Sequence, residues 1–237
     1  MRRYLFILLL LCPAILFAQK KKVWHDPIYD KKPVHFGFTV GLNTMDFNVT
    51  LSDKFHDPVF EKDSLYADVS RLSPGFNVGI VSNFKLNDYF DLRILPGITF
   101  GQRRISYHKN NKIFNDDNKI ESSFLEFPMI AKYKSRRINN FRPYLIGGAN
   151  YRIDLAARKE YDDMDNVYLR LRRSDIYYEV GFGIDFYNQW FKFSAELKLA
   201  VGMLDILVHD PATSNPHYVT AIDKLQSNLW LLSFHFE

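Results

Sequence analysis

YEVGFGIDFY, residues 178–187, runs on a period of two. Tyr178, Val180, Phe182, Ile184 and Phe186 alternate with Glu179, Gly181, Gly183, Asp185 and Tyr187. Successive side chains of an extended strand point to opposite faces, so one face here is wholly apolar and the other carries carboxylates and glycines. VGIVSNFKL, residues 78–86, repeats the pattern with Val78, Ile80, Ser82, Phe84 and Leu86 on one face. The question such a strand poses is which face is inside.

The same period places eight strands, at 34–48, 74–86, 89–104, 121–134, 141–155, 174–188, 190–203 and 226–236. Most exceed the ~5–6 residues of an ordinary strand. They suit the roughly 9–11 residues that a tilted strand needs to cross a bilayer. The connections at 86–89, 135–140 and 188–189 are short. Those after the first, third, fifth and seventh strands are long and polar, roughly 17 to 25 residues, and sorting by parity is the mark of an outer-membrane barrel. The polar set holds Arg93, Glu126, Lys132, Arg142, Arg152, Asp154, Glu179, Asp185, Glu196 and Lys198 in mid-strand, while the alternate set is almost unbroken Phe, Leu, Ile, Val, Tyr and Ala. A lipocalin-like cup would turn those charges outward around an apolar cavity. A barrel of this size is wide enough only to be filled by side chains, and paired charges can fill it while the outside meets lipid. The expected fold is therefore all-β: an eight-stranded antiparallel up-and-down transmembrane β-barrel with short periplasmic turns and long extracellular loops. Pro96, Pro128 and Pro143 are expected at rims, bulges or strand ends, because proline cannot donate to a ladder.

The N-terminus, MRRYLFILLLLCPAILFAQ, has two arginines, an apolar stretch and Ala18 before Gln19, the three parts of a secretory signal. Residues 1–18 are expected to be cleaved, 19–33 to form a periplasmic segment, and 34–237 to form an integral barrel of the outer membrane. Leu11 stands where a lipoprotein signal needs a small residue, so Cys12 leaves with the signal. Cys12 is the one cysteine of the 237 residues, so a disulfide scaffold and thiolate chemistry are excluded. Losing Arg2 and Arg3 takes the formal net charge from +4 to +2 (4 − 2 = 2), with no long run of one sign, so nucleic acid is not an expected partner.

The ten strand charges are the clearest constellation. Over the whole inward face about eight basic and seven acidic residues nearly balance, which points to a self-neutralised plug; a proton or ion path is the functional alternative. His56, His108, His209 and His217 fall in expected external segments, His25 and His35 near the periplasmic entry, and His235 in the last strand. His209, Asp210 and Ser214 could be drawn as an outer-rim hydrolase site, but loop polarity explains them equally, and neither G-x-S-x-G nor H-E-x-x-H occurs. EYDDMDN (160–166) offers oxygen ligands but not the spacing of a calcium loop. No enzyme, cofactor or metal is expected. Candidate partner contacts are Phe55, Phe60 and Tyr66 in the first long loop, and Trp24 and Tyr29 in the basic N-terminal segment. Ile206, Leu207, Val208 and Tyr218 in the last long loop can dock a partner or fold over the mouth.

In NLWLLSFHFE (228–237), Trp230, Leu232, Phe234 and Phe236 share the lipid-facing side of the last strand, which must pair with the first to remove both edges. By analogy with outer-membrane barrels in general, such a strand is what the barrel assembly machinery recognises. Leu229 and Leu231 fall on the inward side with no charge between them, and one of them is expected to pack inside against the first strand.

YDKKPVHFGFTVGLN (29–43), LRILPGITFGQRR (92–104), LEFPMIAKY (125–133), RPYLIGGANYR (142–152), YEVGFGIDFY (178–187), FKFSAELKLAVGM (191–203) and SFHFE (233–237), in that order, resemble the PorT family of Bacteroidetes outer-membrane proteins. LEFP, RPYLIGGANYR and EVGFGIDFY are shared widely among related barrels. DKKPVHFGF and SFHFE are more specific. The resemblance implies a component of the type IX secretion system, which exports proteins across the outer membrane and in some species supports gliding motility. It implies contacts with other secretion subunits and no catalytic motif.

Overall fold

The computed structural model describes residues 25, 29–51, 65–68, 73–109, 112–156, 171–208 and 222–237. A single 3-10 turn, Tyr29–Lys31, leads into β1 (Val34–Leu51). The strands that follow are β2 (Leu65–Asp68), β3 (Ser73–Lys85), β4 (Phe90–Ile94), β5 (Gly97–Lys109), β6 (Lys112–Lys134), β7 (Phe141–Asp154), β8 (Ser174–Tyr187), β9 (Lys192–Gly202) and β10 (Ile222–Phe236). Sequence neighbours pair antiparallel from β6 to β10, and the sheet closes because β1 pairs with β10 on one side and β3 on the other. The β1–β10 seam runs in register from Phe38 opposite Phe236 to Thr50 opposite Lys224, then slips at Leu51. Closure gives every wall strand two neighbours, which a sheet in hydrocarbon requires.

Three features depart from the expected strands. First, the segment expected at 89–104 is split into β4 and β5 at Leu95–Pro96. The chain keeps its course across the gap: Ile94 faces Met129 and Gly97 faces Glu126 on β6 without a slip. Leu95 N donates to Pro128 O at 3.2 Å and Ile80 N to Pro96 O at 2.9 Å, but neither proline can return a bond. Two prolines on facing strands thus interrupt the ladder at one place. Pro128 is accordingly in the middle of β6, not at a rim or strand end as expected. Second, the long loop expected after the third strand is largely ladder. β5 and β6 stay paired from Gly97–Glu126 out to Lys109–Lys112, with irregularities between Ile105 and His108. Alternation is a signal of having a lipid face; the ladder outlasts it. Third, within the segment expected to be a loop from 50 to 72, β2 pairs with the outer end of β5.

The barrel is inside-out relative to a soluble protein. Phe36, Leu42, Ile80, Leu145 and Phe182 all face outward and are exposed by 57% or more, whereas the larger, polar Arg93 and Arg152 are 0% exposed. An apolar wall that wide requires an apolar surround. Inside, Met45, Phe124, Tyr177, Ala200, Leu229 and Leu231 form one apolar cluster, and Val81, Leu95, Ile130, Tyr144 and Ile146 another. Leu229 and Leu231 therefore pack across the lumen, Leu229 beside its register partner Met45. Gly183 is what admits Tyr144: a Cβ there would lie 2.5 Å from the phenol ring.

Because Val180 sits midway along β8 on the outer face, Val180→Arg is expected to destabilise the barrel by about 2–4 kcal/mol. Val180→Leu should change stability little. Urea titration of the protein folded in lipid vesicles measures both; equal tolerance of Arg and Leu would place that face in water.

The charged lumen and its short-turn mouth

All ten residues expected to point inward are buried, Arg142 the least at 8% exposed. Their parity put them on the lumen face; the register of neighbouring strands brings them together. Arg93 on β4 donates to Glu196 on β9 at 2.9 Å and to Glu237 at 2.8 Å. Glu196 also accepts from the Tyr144 hydroxyl at 2.9 Å and has His235 Nε2 at 3.4 Å. Lys132 on β6 reaches both oxygens of Asp185 on β8, at 2.8 and 2.7 Å, while the Ser194 hydroxyl donates to the same carboxylate at 2.6 Å. Further from the short turns, Arg152 bridges Glu126 at 3.1 Å and Glu179 at 3.2 Å, and Lys198 meets the other Glu179 oxygen at 2.8 Å. Asn150 donates to Glu179 at 2.7 Å. Asp154 is matched by Arg103 at 3.1 Å, and Arg103 also reaches Ser227 at 3.3 Å. Tyr144 and Tyr177 lie under cations, Lys132 at 3.7 Å from the first ring and Arg152 at 4.3 Å from the second. Opposite charges meet between neighbouring strands, as Arg152 with Glu126 and Glu179, and across the lumen, as Arg93 with Glu196, so each of these ten desolvated ions has a partner.

The end of the barrel that carries the short turns is closed by the chain itself. Tyr29, expected as a partner contact in a loose segment, is turned into the lumen and 9% exposed. Its ring stacks on His35 at 3.8 Å, and its hydroxyl donates to Glu237 at 2.7 Å. Burial first, and then the Glu237 carboxylate, push the phenol far above its usual range, so it stays protonated and donates. Asp30 accepts two bonds from Arg142, at 2.9 and 3.2 Å, and lies 3.7 Å from Arg137. His25 is tied to the same rim: its N–H donates to Asn140 at 3.0 Å, and its carbonyl accepts from Arg137. A small crevice among Tyr29, Asp30, His35, Lys85, Asp91 and Arg142 is what remains of the mouth.

Sequence parity missed Glu237, although it follows Ser233 and His235 on the inward side; a residue beyond the last apolar one was read as a terminus instead of a lumen group. Its side chain is 0% exposed between Arg93 and Lys192, the latter at 2.8 Å. Asp91 and Lys134, paired at 2.6 Å, also have inward parity but sit at strand ends, where alternation is a weak signal. Asp30 carries no such signal, since it precedes the first strand.

On the outer side of β10, Trp230 is 50% and Leu232 40% exposed, with Phe234 and Phe236 half-buried among neighbouring rings. Phe236 stacks on Phe38 across the seam at 4.9 Å. Ile206 and Leu207, candidates for docking, are instead buried, with Ile206 N bonded to Leu225 O at 2.9 Å. Tyr66 falls in β2 opposite His108. The signal peptide expected at 1–18, Trp24, Phe55, Phe60, the acidic run 160–166 and the His209, Asp210 and Ser214 set lie outside the described residues. Among the described residues no three His, Cys, Asp or Glu side chains gather as metal ligands.

The profile of a family described as "outer membrane protein beta-barrel domain" matches residues 17–208. No curated protein matches the chain. Solved structures similar to it include the outer membrane protein OprG from Pseudomonas aeruginosa, with 16% identity, 85% of this chain and 94% of that chain covered, and a TM-score of 0.49. Neisserial surface protein A is 10% identical over 86% of this chain and 98% of its own, with a TM-score of 0.44. The attachment invasion locus protein Ail of Yersinia pestis is 13% identical over 86% and 98%, with a TM-score of 0.36.

Removing Arg93 leaves Glu196 and Glu237 short of a buried cation, so Arg93→Ala is expected to cost about 3–5 kcal/mol. Arg93→Met combined with Glu196→Gln should cost less than the sum of the two single changes, because the pair leaves together. Tyr29→Phe removes one bond to a carboxylate and should cost about 1.5–3 kcal/mol. Denaturant midpoints in one detergent rank the variants; additivity of the Arg93 and Glu196 changes would disprove the pairing.

Proposed function

The chain belongs to the outer membrane protein beta-barrel domain family, and from that premise we propose that it is a non-enzymatic component of the type IX protein secretion system. It acts by binding other secretion subunits while the barrel anchors them in the outer membrane. The observation that carries a binding role is the filled lumen: Arg93, Lys132, Arg152 and Lys198 are each 5% exposed or less and ion-paired, Arg93 across the lumen to Glu196 and the others to carboxylates on the strand next to theirs or one beyond it. A barrel packed in this way has no route for a substrate and no gathered catalytic set among its described residues. What it offers other proteins is its rims. The secretion assignment itself rests on the resemblance of the DKKPVHFGF and SFHFE stretches to PorT.

In this reading β4 and β5 are one stave interrupted by Pro96 and Pro128, so eight staves form the wall. The short turns and the closed mouth face the periplasm, and the β2–β5–β6 ladder stands outside the cell. Leu86, Ile138 and Trp190, exposed at the three short turns, mark the periplasmic interface. The chain is exported behind a cleaved signal and inserted by the barrel assembly machinery.

Deleting the gene in its host is expected to leave proteins destined for the cell surface in the periplasm, and affinity-tagged barrel should co-purify with secretion subunits. Normal secretion in the deletion strain would sink the proposal and leave a structural or adhesive barrel. In planar bilayers the purified barrel is expected to give no steady ion conductance; a large open-channel current would contradict the plugged lumen.

A further inference from the structure

The 3-10 turn Tyr29–Lys31 is held to the barrel in an unusual way. It takes no part in the sheet, and one of its backbone bonds, Lys32 N to Tyr29 O at 3.2 Å, is internal to the turn. Two of its side chains are received by groups that belong to the walls, and just beyond it the Pro33 carbonyl accepts from Lys85 N at 2.8 Å. The Tyr29 ring is stacked on His35, has Tyr187 edge-on at 5.8 Å and Lys192 Nζ 4.6 Å from its centroid, and its hydroxyl finds Glu237. The Asp30 carboxylate is gripped by both terminal nitrogens of Arg142 and approached by the Tyr187 hydroxyl at 3.4 Å. Lys85 Nζ donates to the Asp30 carbonyl at 2.7 Å.

These receiving groups are arranged by contacts of their own. Glu237 is held by Lys192 and Arg93, and Arg137 stacks on the Tyr187 ring at 3.8 Å. The wall carboxylates of the mouth have wall cations: Asp91 has Lys134, Asp185 has Lys132, and Glu237 has Lys192 and Arg93. Arg142 instead meets a carboxylate that the turn supplies, Asp30, which Arg137 also approaches at 3.7 Å. A slot for one phenol thus adjoins a buried guanidinium whose carboxylate comes from the turn and not from the wall.

We propose that the short-turn mouth is a binding site for an extended peptide presenting a tyrosine followed by an acidic residue, and that Tyr29–Asp30 is its resident, exchangeable ligand. A partner's Tyr-Asp segment takes the same two subsites when the turn swings out about Lys32 and Pro33, both exposed. The charge of the vacated mouth selects for acidic partners, since an incoming lysine or neutral residue would leave Arg142 desolvated and unmatched. The site exists whether or not the barrel serves secretion, so its test is independent of the deletion experiment.

The test vacates the subsites and offers the ligand in trans. The full chain carrying Tyr29→Ala with Asp30→Ala is folded in detergent micelles, its folding checked by heat-shifted electrophoretic migration. A synthetic peptide of residues 27–33, PIYDKKP, is titrated calorimetrically. It is expected to bind the vacated barrel at least about tenfold more tightly than the intact one. Peptides with Ala for Tyr or for Asp should each lose about tenfold, and Arg142→Met in the vacated barrel should abolish the preference for Asp. Should the double variant not fold, Tyr29→Phe with Asp30→Asn is used, with the same ranking over a smaller range. A folded, vacated barrel that ignores the peptide, or binds all three peptides alike, overturns the proposal. Failure of both variants to fold makes the turn an obligate part of the barrel and overturns it equally.

Discussion

Arg93 meets two carboxylates from opposite ends of the chain's logic: Glu196 in the middle of β9 and Glu237 just past β10. Around this guanidinium the lumen is organised. Glu196 positions Tyr144 and His235; Glu237 positions Lys192 and Tyr29. In hydrocarbon the outer wall gains nothing from folding against itself, because lipid tails are as apolar as phenylalanine. Discrimination among registers must come from within. A one-residue slip of any strand would send its charges into lipid and its phenylalanines into the lumen. The interior ion pairs therefore specify the barrel more than they stabilise it, as is expected where the desolvation of buried charges offsets much of their attraction.

Much of this was legible in the sequence. The alternation in YEVGFGIDFY fixed which face was polar, and the same parity placed Glu126, Arg152 and Glu179 on one interior surface. Which of them pair was not legible, since partners such as Arg93 and Glu196 are 103 residues apart and meet only through strand register. The split of the third stave was also hidden: Pro96 alone marks a weak point, and its effect depends on Pro128 falling opposite Leu95. The β5–β6 ladder was missed because alternation vanishes beyond the lipid, although nothing in the backbone requires it to stop there. Tyr29 is expected from sequence as a partner contact in the periplasmic segment, because no periodicity touches it or Asp30. Their place is set by tertiary contacts alone.

The apolar clusters inside the barrel follow from the same geometry. Met45, Leu229 and Leu231 occupy inward positions with no charge, and they pack with Tyr177 and Phe124 beneath Arg152 and Arg103. An interior made of ions alone would leave stems and voids; aromatic rings fill the gaps and present faces that attract the guanidinium groups. Gly183 belongs to this arrangement, trading a side chain for the approach of Tyr144. The lumen is thus a close-packed core with its polarity reversed.

The Tyr29–Glu237 bond joins residues 208 positions apart, nearly the full span of the folded chain. Bringing such distant points together in a free chain costs on the order of 5 kcal/mol of entropy by ideal-chain scaling. Once every stave is in place that separation has already collapsed to a few ångströms, and the bond forms at almost no further cost. It is therefore a contact that a closed barrel favours and that a partial sheet, its ends still apart, does not. An intermediate still open along the β1–β10 edge lacks it, and with it the stopper in its mouth, so the same few atoms that seal the cylinder also report that it is whole.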